Sequence, residues 1–207
     1  MVSRTPSAFT CFTPAEHTTA SIPHGAKLTR YRVDAVHTLR GPELATPRSG
    51  GVLVRIEHAG QLVDPWAPFV GVTQHVVYTA AQERLELARI SAPESGPLAV
   101  LIPICKSAAW WSLAQDERRA FLRTGTPGHF EIGLEYASTI YRRLYHARTL
   151  PGSTWDFLTY FEFPAERRHD FERLLARLRD ANQNPEWQFV EREVELWLSK
   201  GAVTRPM

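Results

Sequence analysis

The chain has 207 residues, 43% of them apolar and 22% charged, a balance that excludes wholesale disorder and fits one domain or two small halves. Its net charge of +2 excludes nucleic-acid binding driven by bulk charge. No apolar run of about 18 residues is present, and no apolar leader opens the chain, so the expectation is no membrane span and a cytoplasmic location.

Taken in chain order, strands are expected at 8–13, 28–37, 51–58 and 70–79. Residues 80–97 read as a helix-like stretch ending in a Pro/Gly/Ser turn, a seam between halves at 1–90 and 91–207. Leu98–Ile104 is a short apolar run of buried-strand type. Ser112 with Gln115 three residues later reads as a capping box that starts a helix, ended by RTGTPG. A second helix opens at His129, with Phe130, Gly133, Leu134 and Ala137 at helical spacing. STIYRRLYH, from Ser138, is β-branched and aromatic and reads as a strand. After the Pro151-Gly152-Ser153 turn comes the strand 155–163, whose alternation puts Trp155, Phe157, Thr159, Phe161 and Phe163 on one face. Phe171, Leu174, Leu175 and Leu178 mark a helix, and Trp187–Leu198 a last strand with Glu191, Glu193 and Glu195 alternating. The second half is thus βαββαβ, the ferredoxin-like order, and the first half reads as a degenerate copy.

Cys11 and Cys105 form no metal-type cluster and are expected to be free thiols. GxSxG, HExxH, Walker and GxGxxG motifs are absent and no histidine pair sits at metal-ligand spacing, which argues against a hydrolase or a zinc enzyme. One constellation is left: Trp110-Trp111, His129, Arg142 and the aromatic strand. Alternation places Arg142 with Leu144 on one strand face, and Thr159 with Phe161 on a face of the hairpin partner. An arginine on such a face is costly to bury unless an anion meets it. The bland alternatives are a solvated histidine, core tryptophans, and an Arg142 that a reversed register turns to water. The residues alone describe an α+β domain with a candidate flat apolar pocket holding one His and one Arg.

The segments KSAAWWSLAQDERRAF, YRRLYHARTL, WDFLTYFEF and EWQFVEREVEL, with GVTQHVVYT at 71–79 and LIPICK at 101–106, resemble the chlorite dismutase family, in particular its short-chain branch. The resemblance covers roughly residues 66–198. It implies two ferredoxin-like halves whose sheets form an antiparallel barrel, the dimeric α+β barrel type, with haem b in the second half. His129 and Arg142, thirteen residues apart, resemble the proximal iron ligand and the distal arginine. Glu186 resembles the glutamate that holds the proximal histidine. Lys106 and Tyr78 resemble residues near the haem propionates, and Trp110 and Trp111 the haem-lining pair. Leu144, Thr159 and Phe161 resemble the distal wall.

The implied reaction turns chlorite into chloride and dioxygen by way of a ferryl and hypochlorite, which Arg142 retains. The branch implies a homodimer. Three features depart from the family. RTGTPG is longer and richer in Gly and Pro than the usual lead-in. Cys105 and Val77 stand where the family has arginines near the propionates, and a distal glutamine is missing near Ala88 and Arg89. Two alternatives stay open. One is a coproheme decarboxylase, for which Tyr141 and Tyr145 are relay candidates; the other is a non-catalytic haem-binding or sensor dimer.

Overall fold

The computed structural model describes residues 8–18, 22, 24–59, 67–73, 96–123 and 127–200. The elements are β1 (Ala8–Pro14), β2 (Lys27–Arg40), β3 (Val52–Ala59), β4 (Phe69–Val72) and β5 (Leu98–Lys106), followed by α1 (Ala108–Ser112), α2 (Gln115–Arg123) and α3 (His129–Tyr136). Then come β6 (Tyr141–His146), β7 (Phe157–Phe163), α4 (Arg168–Leu178), a 3-10 helix at Pro185–Phe189, and β8 (Val190–Lys200). The strands close into an eight-stranded barrel in the order β1-β3-β2-β8-β5-β7-β6-β4. Each quartet repeats one arrangement: its fourth strand lies beside its first, then its third, then its second. The fold is α+β, built on the ferredoxin-like plan. Closure between β4 and β6 brings backbones close, and Gly71 permits it, since a Cβ there would lie 2.5 Å from Tyr145 Cβ.

Alternation sorts every strand into an inner and an outer set. Phe12, Tyr31, Leu53, Leu101, Tyr145, Tyr160 and Leu196 fill the barrel interior. On the outside, Val100, Ile102, Phe161 and Phe163 meet Ile132 of α3 and Phe171, Leu174 and Leu175 of α4. Phe163 stacks on Phe171 with centroids 4.5 Å apart, which anchors α4 against the sheet. The helical layer therefore lies over β5, β6 and β7 of the second half. Any site between the two layers has a flat strand wall on one side and helices on the other.

Three local expectations are corrected. Ser112 does not cap a helix. The tryptophan pair forms its own short helix, capped by Ser107, and the Ser112 hydroxyl turns back to donate to Ala109 O at 2.8 Å. The next helix is capped from inside by Glu117, which accepts from Ala114 N. Trp155 precedes β7 and turns into the barrel core with Leu158 and Tyr160, away from Phe157, Thr159 and Phe161. Trp187 lies in the 3-10 helix, and the last strand begins at Val190. Strand 70–79 is seen as Phe69–Val72, and the helix-like stretch 80–95, Tyr78, Val77, Ala88 and Arg89 lie outside the described residues. Cys11 and Cys105 are not bridged.

Candidate functional site between the sheet and the helices

A cavity of about 340 Å³ opens between the outer sheet face and the helical layer. Its strand wall is Ile102, Ile104, Leu144, Phe157, Thr159 and Phe161. The register of β6 against β7 makes this wall. Leu144 pairs with Thr159 and Arg142 with Phe161, so the reversed register does not occur. Facing the wall, α3 presents its first residue, His129.

His129 Nδ1 lies 3.1 Å from Glu186 Oε2. The other carboxylate oxygen, Oε1, is 2.7 Å from Lys106 Nζ. Lys106 and Glu186 are each 8% exposed, so this is a buried His–Glu–Lys chain. Burial pushes the Glu186 carboxyl upward in pKa. The Lys106 ammonium and His129 outweigh that and hold it well below the usual carboxylate range. A carboxylate engaged at Nδ1 leaves Nε2 as the imidazole nitrogen available to a ligand. Lys106 is thus placed against Glu186 and also lines the cavity. It also lies 5.0 Å from the Trp110 ring.

The tryptophans have different surroundings. Trp110 is buried against Phe189 and Phe121, with one edge on the cavity. Trp111 stacks on Phe157 at 6.0 Å and donates from Nε1 to Asp156 Oδ2 at 3.1 Å. Asp156 was not singled out from sequence, yet it is 6% exposed and organises the cavity mouth. It also accepts from the Lys106 backbone N–H at 2.7 Å and from Arg148 Nη1 at 3.0 Å. The Arg148 guanidinium lies 3.9 Å over Trp111. Arg118 and Arg119 join Arg148 on the cavity lining. Cys105 packs against the barrel-core cluster and is not among the residues that line the cavity.

Arg142 does not line this cavity; it lines a separate small cleft with His129, Gly133, Tyr136, Ile140 and Phe161, and His129 and Phe161 border both spaces. The Arg142 guanidinium is 6.0 Å from the Phe161 ring centroid. His146 also lines the cavity from the strand wall, and burial pushes its imidazole pKa down. Alternation from Arg142 through Leu144 reaches His146, so the same period-2 rule was the signal for it. Tyr141 and Tyr145 belong to the barrel-core cluster and do not line the cavity.

The family model described as chlorite dismutase matches residues 49–196. A protein named chlorite dismutase from Ideonella dechloratans is 28% identical over 113 residues, which span 52% of this chain and only 38% of that relative. The solved structure described as dimeric chlorite dismutases from Nitrobacter winogradskyi is 32% identical. It matches with a TM-score of 0.69, over 92% of this chain and 99% of that one. Chlorite dismutase from Candidatus Nitrospira defluvii in complex with imidazole, at 22% identity and TM-score 0.65, shares the fold over 94% of this chain and 91% of its own. Among the described residues, no helix is long and apolar enough to cross a membrane.

Proposed function

The chain belongs to the chlorite dismutase family, and from that premise we propose that it is a haem b enzyme converting chlorite to chloride and dioxygen, working as a homodimer. The observation that carries the reading is the buried His129–Glu186–Lys106 chain facing a flat strand wall, with Arg142 in a small cleft that shares His129 and Phe161 with the cavity.

The residues present fit the group. A macrocycle with two carboxylates needs a flat apolar slot, one axial nitrogen, and cations where the carboxylates emerge. The slot has a wall of Leu144, Thr159 and Phe161, one imidazole with Nδ1 already engaged, and Arg118, Arg119 and Arg148 on its lining. Its volume is within the roughly 300–1,000 Å³ typical of small-molecule sites. Trp110 and Trp111 supply aromatic edges. When bound, the haem iron supplies the redox centre at which oxygen leaves chlorine.

Every other part of the mechanism belongs to the chain. His129 would hold the iron through Nε2. Glu186 keeps the imidazole in one tautomer and raises its basicity, and Lys106 keeps Glu186 ionised. Arg142 is permanently charged and draws an oxychlorine anion toward the strand wall. The same charge retains anionic chlorine species while chlorine is reduced and the two oxygens join. Phe161, paired with Arg142 across the strands and lining both spaces, keeps apolar surface beside that charge, which strengthens the attraction. Chlorite, ClO2−, balances as Cl− plus O2, so no external electron donor is required.

The test is an oxygen-electrode measurement on protein reconstituted with haem b. Dioxygen release approaching one per chlorite is the expected result. A normal haem spectrum without dioxygen release would overturn the proposed reaction, and failure to take up haem would overturn the site.

A further inference from the structure

The Glu186 carboxylate is held by Lys106, but its backbone sits in a five-residue 3-10 helix, a short element with poor internal hydrogen-bond geometry. What fixes that turn comes from elsewhere. Arg40, the last residue of β2 and so part of the first strand quartet, reaches it across the barrel wall. Arg40 Nη1 donates to Val190 O at 2.7 Å and to Trp187 O at 3.4 Å. Trp187 O is also the acceptor that closes the turn, taking the Val190 N–H. The Arg40 guanidinium lies 4.5 Å from the Trp187 ring centroid. Arg179, itself tied to Glu193 and Glu195 at 2.5 Å, lies 5.9 Å from the same ring. Trp187 follows Glu186 directly in the chain.

We propose that Arg40 is a positioning residue for the His129–Glu186 pair: it locks the backbone from which Glu186 approaches the imidazole. The physical reason is that the 3.1 Å contact is close enough for His129 Nδ1–H to donate to Glu186, and such a bond is steep in distance and angle. At 3.1 Å the pair has little slack, and a turn that rotates about Trp187 carries Oε2 away from Nδ1. Lys106 alone does not prevent this, because an ammonium on a flexible stem follows the carboxylate. Arg40 thus makes the second-half site depend on a residue of the first half.

The inference rests on the functional reading only for its haem readouts, so the experiment has two arms, on Arg40→Leu and Arg40→Lys. In the haem-free protein, labelled at histidine nitrogen, NMR reads how fast the His129 Nδ1 proton exchanges with water. We expect exchange at least about tenfold faster in Arg40→Leu, with partial recovery in Arg40→Lys, which keeps one charged donor. In the haem-loaded protein, resonance Raman reads the iron–histidine stretch. We expect it to fall, and the midpoint potential to rise, as the imidazole loses basicity. Loss of packing alone leaves an intact His129–Glu186 pair and moves neither signal. Unchanged exchange in folded Arg40→Leu overturns the proposal. If Arg40→Leu does not fold, Arg40→Lys carries the test. One ammonium cannot serve two carbonyls and the ring together, so an unshifted exchange rate there overturns the proposal equally. A wild-type protein that takes up no haem overturns the functional reading and leaves the exchange arm to decide on Arg40.

Discussion

Replacing Lys106 with Met removes one end of a desolvated ion pair and leaves the other in place. Lys106 and Glu186 side chains are 6% and 10% exposed, and their charged atoms are 2.7 Å apart. Water therefore cannot take over the role of the lost ammonium. Breaking such a pair from one side costs about 3–5 kcal/mol. His129 stays 3.1 Å from the carboxylate and offsets part of the loss, so the lower end, about 3 kcal/mol, is expected. For a chain of this size that corresponds to a fall in Tm of about 6–12 °C. Thermal unfolding of the haem-free protein, followed by circular dichroism, measures it directly. The double variant Lys106→Met with Glu186→Gln removes both charges and is expected to regain most of the loss, a coupling of about 2 kcal/mol or more. A single variant melting within about 2 °C of wild type would refute the reasoning, because it would mean that the pair is hydrated and contributes like a surface bridge.

His129→Ala removes the only axial nitrogen that the His–Glu–Lys chain supports, so reconstituted protein should lose the five-coordinate haem spectrum. Arg142→Ala should keep that spectrum, slow dioxygen formation by about 100-fold, and leak hypochlorite that a chlorination trap detects. Burial lowers the imidazole pKa of His146 from the usual 6.5. The unfolded chain therefore binds more protons than the native one just below that value. Stability should decline as pH falls through 6.5, with a slope from this residue of at most about 1.4 kcal/mol per pH unit. Urea unfolding at a series of pH values should show the decline in wild type and a flatter profile in His146→Phe.

The strand wall was legible in the sequence because period 2 tolerates no ambiguity once a register is set. Arg142 and Leu144 share a face, and their partners Phe161 and Thr159 follow from the hairpin. The same rule failed at Trp155. Alternation was carried back past the start of the strand, into Ser153–Asp156, which lie outside the strand and where the ring turns inward. The Lys106–Glu186 contact was illegible for a different reason. Eighty residues separate the partners, and a register shift at Cys105/Lys106 against β8 together with the 3-10 turn brings them together. Neither irregularity has a pattern in hydrophobicity. Asp156 escaped because an acid at the head of an apolar strand reads as a turn residue, whereas its three donors come from β5, α1 and the β6–β7 connection.

The wall of the cavity is also the outer skin of a barrel whose interior is polar at its heart. Arg55, 1% exposed, donates to Tyr145 at 3.1 Å, and its guanidinium lies 4.4 Å from the Tyr160 ring. Glu162 receives Lys200 at 2.7 Å and a hydrogen bond from Tyr160, whose hydroxyl meets that of Tyr31 at 2.6 Å. Burial pushes Tyr31 and Tyr145 up to about 12, so both keep their hydroxyl protons at neutral pH. Because inner and outer residues alternate, each tyrosine is flanked by wall residues: Tyr145 by Leu144 and His146, and Tyr160 by Thr159 and Phe161. An apolar interior would tolerate small slips of β6 against β7. A network in which buried charges and hydroxyls each need a specific partner penalises such slips steeply. The interior thereby keeps Arg142, Leu144, Thr159 and Phe161 in register, and the outer cavity inherits its flat wall from bonds made on the opposite side of the sheet.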